Sequence, residues 1–134
     1  MQSIVRARII APAIAAATAG LALVVGEGIP GDLAVFAKTL APILFGAALS
    51  QWLLFPLFAR KPGALGWMLD GLAFLSVIAL SGLFAGTLLM PGIGAVLGPL
   101  VALSLPARSL LTALTYLAGA TSVIALIRKT KGLL

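Results

Sequence analysis

The chain has 134 residues, 62% of them hydrophobic and only 9% charged, with a mean hydropathy of +1.23; a soluble globule of that length leaves too much of its surface in water to hide so much apolar area. The net charge is +6, yet the basic residues flank apolar runs instead of forming a face interleaved with aromatic rings, which argues against nucleic acid and for an anionic lipid surface. Cysteine and histidine are both absent, and with them go disulfides, thiolate and imidazole metal sites, the usual haem ligands and imidazole acid–base chemistry.

The expected fold is an all-α integral membrane protein, an antiparallel bundle of four transmembrane helices. The first span is expected at about residues 9–25, preceded by Arg6 and Arg8. Its apolar run continues to Val25, long enough to cross a bilayer, so it reads as a retained helix and not as a cleaved signal. Pro12 falls in its first turn, where a missing backbone donor does no harm. The stretch Ala13 to Gly20 is almost wholly small, a surface that lets another helix come close. Gly26 to Asp32 is rich in helix-breaking residues and reads as a turn carrying Glu27 and Asp32.

The second span is expected at about residues 32–58, with the Asp32 carboxylate capping the free amides of its first turn. That length exceeds what a roughly 30 Å hydrocarbon core requires, so Lys38 can extend its ammonium to the interface while its stem covers apolar surface. Ala59 to Gly63, with Arg60 and Lys61, is a short basic loop that makes the second and third spans neighbours. Trp52 and Trp67 flank it as an interfacial aromatic belt would. The third span is expected at about residues 65–90, stopping at Pro91-Gly92. A short apolar segment follows, at about residues 93–103; it is too short to cross and suits a re-entrant or interfacial helix. Ser104 reads as the N-cap of a fourth span at about residues 105–127.

This division puts Arg6, Arg8, Arg60, Lys61, Arg128, Lys129 and Lys131 on one side. Loops rich in Lys and Arg stay cytoplasmic, so both termini are expected inside a multi-pass protein of a bacterial inner membrane. Only Lys38 and Arg108 fall elsewhere, each near a helix start. Arg60, Lys61, Arg108, Arg128 and Lys129 are the expected contacts to lipid headgroups.

Asp70 is the sharpest polar candidate, being the only acid inside an expected span. It lies nine residues beyond Lys61, within reach of Arg60, Lys61 or a terminal lysine. Ser50 and Gln51 form a second polar element, able to bond across a helix interface. Thr112, Thr115 and Ser122 recur at helical spacing and are read as one face shared with Gly119. Gly82 with Gly86, and Gly94 with Gly98, make two GxxxG steps suited to close helix packing. No catalytic pair of carboxylates, metal-ligand spacing or phosphate loop is present in the sequence, so neither enzyme activity nor a cofactor is expected. The functional expectation is a non-enzymatic accessory or scaffolding subunit that packs against lipids, other membrane subunits or itself. The alternative is a small oligomeric channel or transporter using Asp70 and the hydroxyls of the fourth span.

Overall fold

The computed structural model describes residues 2–28 and 31–133, and every regular element among them is helical. The elements are α1 (Gln2–Glu27), α2 (Leu33–Leu54), a 3₁₀ turn (Phe55–Leu57), α3 (Gly63–Leu89), α4 (Ile93–Ser104), a second 3₁₀ turn (Leu105–Ala107) and α5 (Leu110–Thr130). Four stretches, Ser3–Glu27, Leu33–Leu57, Gly63–Leu89 and Leu110–Thr130, are long and apolar enough to cross a membrane.

The helix ends follow local chemistry. Asp32 caps α2, its Oδ1 accepting from the amides of Ala34 at 3.0 Å and Val35 at 3.4 Å. The α2 helix tightens into its 3₁₀ turn at Pro56, whose nitrogen has no proton to donate. At Gly92 the backbone takes φ 87°, a region that glycine enters without steric cost, and the chain turns from α3 into α4. The start of α5 differs from the expectation: Ser104 does not cap it. The Ser104 hydroxyl donates back to the Val101 carbonyl at 2.7 Å, residues 105–107 form the 3₁₀ turn, and Ser109 caps α5 five residues later in a reciprocal box with Thr112. The first helix also begins earlier than residue 9, taking in Arg6 and Arg8. It runs through Gly26 and Glu27 as well, while Ile29 and Pro30 of the expected turn lie outside the described residues.

The α1 helix packs against both α2 and α5, α2 packs against α3, and α4 lies along α3. Small side chains make these approaches. Ala7, Ala11, Ala15, Thr18 and Ala22 recur every three or four residues as the buried face of α1. Across that face Gly119 of α5 sits so close to Thr18 that a methyl group on it would lie 2.8 Å from the Thr18 Cβ. Larger side chains fill the rest: Phe55, Phe58, Phe74, Val77, Ile78, Tyr116, Val123, Ile124 and Ile127 are all buried.

The segment expected at 93–103 is a regular helix, and its contact with α3 is backbone on backbone. Gly82 meets Gly98 and Gly86 meets Gly94, so the two GxxxG steps face each other in reverse order. A Cβ on any of the four would collide with the carbonyl group of its opposite number. Beside this seam an apolar chamber of about 320 Å³ is lined by Ala19, Leu23, Ile43, Leu97 and Tyr116 among others.

A contrast between two glycines of α3 tests the seam. Gly86→Ala forces backbone apart and is expected to cost about 1–3 kcal/mol. Gly71→Ala, which would meet nothing within 4 Å, should be neutral or add about 0.5–1 kcal/mol through helix propensity. Thermal unfolding of both variants in the same detergent reads the difference.

Candidate functional site

Asp70 is 1% exposed, and both of its carboxylate oxygens are occupied. Oδ2 accepts from Arg128 Nη1 at 2.8 Å, and Oδ1 accepts from the backbone amide of Ala59 at 2.8 Å. Arg128 is itself fully buried, with its guanidinium 5.2 Å from the centroid of the Trp67 ring. One carboxylate therefore ties α3 to α5 and to the connection between α2 and α3. The connection needs the tie, because Ala59 has φ 55°, a left-handed conformation that costs a non-glycine residue roughly 1–2 kcal/mol.

Other cations gather at the same end. Lys131 Nζ donates to the Phe58 carbonyl at 2.9 Å and stands 5.5 Å from the Phe55 ring centroid. Arg8 also approaches that ring, 5.6 Å from the Phe55 centroid and 4.8 Å from that of Trp52. Such cation–π contacts contribute about 0.5–1 kcal/mol when exposed and more when desolvated. The start of α1, the end of α5 and the 55–62 connection thus meet around Phe55.

This arrangement revises several expectations. The partner of Asp70 is Arg128, not Arg60, Lys61 or a terminal lysine. Arg128 is accordingly no headgroup contact, whereas Lys129 beside it is exposed. Arg108 is half exposed and forms an ion pair with Glu27, joining the end of α1 to the turn before α5. Thr112, Thr115 and Ser122 do not share one inward face. Thr112 is fully buried with Tyr116, Gly119, Val123 and Ile127, while Ser122 is exposed. The hydroxyls of Thr115, Thr121 and Ser122 donate to the carbonyls of Leu111, Leu117 and Ala118, each at 2.8 Å. Ser50 does the same toward Gly46 at 2.6 Å.

Gln51 stands apart from the Asp70 cluster in its chemistry. It is fully buried, and neither its Nε2 nor its Oε1 has a hydrogen-bond partner among the described residues. The Nε and Nη2 atoms of Arg128 and the Nε of Arg8 are in the same condition. The sequence flagged Asp70 and Gln51; it missed the roles of Arg8 and Arg128. The signal for Arg128 was its place one residue after Ile127, at the end of the buried α5 stripe.

Among the described residues no group of three or more His, Cys, Asp or Glu could hold a metal ion. Comparison of the chain with known protein families, curated proteins and solved structures finds no match.

Two substitution sets follow from this geometry. Asp70→Asn or Arg128→Gln leaves a buried charge uncompensated, and each is expected to cost about 3–5 kcal/mol, with the double variant costing less than the sum; a double-mutant cycle by thermal unfolding measures the coupling. Gln51→Met removes unpaired polar atoms at similar volume, and is expected to hold stability level or raise it by about 1–2 kcal/mol; a clear loss of stability would show that the amide has a bonding partner.

Proposed function

We propose that the chain is an antiparallel four-span membrane bundle with both termini on the cytoplasmic side of a bacterial inner membrane, serving as a non-enzymatic accessory or scaffolding subunit. The observation that carries this reading is the occupancy of Asp70. The acid inside the spans with most scope for chemistry gives one oxygen to Arg128 and the other to Ala59, so both oxygens serve contacts within the chain and the buried guanidinium already supplies the balancing charge.

The hydroxyl groups support the same conclusion. A solute path within a single bundle would need them to face a common interior, and Thr121 and Ser122 face outward with their protons on their own helix. The outer surface is the complement of this inert interior. Ile93, Val96, Leu100 and Leu103 of α4, and Leu110, Leu111, Leu114 and Leu117 of α5, are all exposed. In a bilayer such faces meet lipid tails or the helices of a neighbouring subunit, and small residues nearby permit close packing.

Two measurements decide the matter. Extraction of the native membrane in mild detergent should recover the chain in an assembly larger than its own 13.6 kDa, and recovery only as a monomer would sink the accessory role. The purified chain in proteoliposomes should pass no more ion flux than protein-free vesicles. Flux that vanishes with Asp70→Asn would establish a channel instead.

A further inference from the structure

The chain contains three acidic residues, and each is engaged within the protein. Glu27 pairs with Arg108, Asp32 caps α2 and Asp70 pairs with Arg128. No acidic side chain is left for Arg60 and Lys61, which are exposed and carry no ion pair among the described residues. These two cations stand at the edge of a half-open recess of about 490 Å³ on the outer side of α3.

The other walls of the recess are apolar but for Ser76. Leu57 contributes from the 3₁₀ turn, and Leu69, Leu72 and Ser76 contribute from successive turns of α3. Residues spaced three, four and seven apart lie on one helix face, so the recess runs from the cationic loop down along the helix. Leu57, Leu69 and Leu72 are 40%, 38% and 60% exposed. The Ser76 hydroxyl donates to the Leu72 carbonyl at 3.1 Å and adds no competing polar demand.

We propose that this recess is a binding site for one acidic phospholipid, with its phosphate between Arg60 and Lys61 and an acyl chain along Leu69, Leu72 and Ser76. Charge complementarity selects the occupant. Two unpaired cations at one end call for an anion, while the leucines below call for a hydrocarbon chain, and a free phosphate would meet only the first demand. The loop that carries the cations is held before any lipid arrives. Asp70 fixes the Ala59 amide on one side, and the Lys61 carbonyl abuts Gly66 on the other. Ordering the loop in advance lowers the entropy lost on binding.

The site rests on the membrane reading but not on the accessory role, and the test separates the two. The full chain, purified alone in detergent, is examined by native mass spectrometry with phosphatidylglycerol, phosphatidylcholine of the same chain length, and water-soluble glycerol phosphate. One phosphatidylglycerol is expected to bind roughly tenfold or more tightly than phosphatidylcholine, two nearby cations each adding attraction at a membrane surface, and glycerol phosphate is expected not to compete. In Arg60→Gln with Lys61→Gln the preference should disappear. Arg6→Gln, a charge change elsewhere at the same end, should leave it intact. Ser76→Trp, at an exposed position, should fill the groove and weaken both lipids several-fold. Equal binding of the two lipids overturns the site, as does a preference that survives the double variant or falls equally with Arg6→Gln. Full competition by glycerol phosphate, or undiminished binding to the Ser76→Trp chain, overturns the acyl-chain half of the assignment. A chain that binds the lipid as proposed yet is always recovered alone retires the accessory role and leaves the lipid site standing.

Discussion

Apolar packing is non-directional, and a bundle whose helices are apolar on most sides can slide or rotate with little change in buried area. The Asp70–Arg128 pair removes that freedom. Taking two charges out of water is costly, and a buried charge separated from its partner costs more still, so the pair tolerates little displacement of one helix against the other. Arg128 must therefore sit at one height and one rotation of α5, and Asp70 must sit at one height of α3. The second oxygen of Asp70 extends the constraint to Ala59, so the direction in which the chain leaves α2 is fixed by the same carboxylate. Arg8 and Lys131 then take their places on the aromatic rings that this geometry brings together.

Helix identity was legible in the sequence because long apolar runs bounded by Gly, Pro and charge leave few alternatives. Helix ends were less so. Ser104 and Ser109 are both hydroxyls ahead of an apolar run, and only the intervening 3₁₀ turn decides that Ser109 is the cap. The hydroxyl stripe failed on phase. At about 100° per residue, Thr115 lies about 60° round the helix from Thr112, and Ser122 about 80°, enough to carry the later two toward the outer surface. Asp70 stood out as an intramembrane acid, but its partner is 58 residues away in sequence. A pairing at that separation is set by tertiary packing, whereas distance along the chain alone favours Arg60 and Lys61.

The two ends of the molecule are organised by different physics. At the basic end, ions, aromatic rings and backbone groups specify each contact. At the other end the ion pair that joins Glu27 to Arg108 is half exposed, and exposed pairs contribute little to stability. What holds α4 there is proximity of backbone, alongside an apolar chamber whose lining includes few polar side chains. The contacts therefore change in kind between the two ends, from directional bonds to close apolar and backbone packing.

The glycine seam between α3 and α4 contains no side chain from either motif, and this has an entropic side. Side chains that interdigitate give up rotamer freedom when helices meet, whereas Gly82, Gly86, Gly94 and Gly98 have none to give up. The nearest side chain is the methyl group of Ala102, which packs over Gly82 at one end of the seam. One turn up or down, only one glycine of each motif would still face a glycine, the others meeting Ile78, Met90 or Ala102, so the four glycines accept a single alignment, and the tether of Met90, Pro91 and Gly92 is of the length that reaches it. That three-residue connection acts as the molecule's ruler, measuring where α4 begins on the surface of α3.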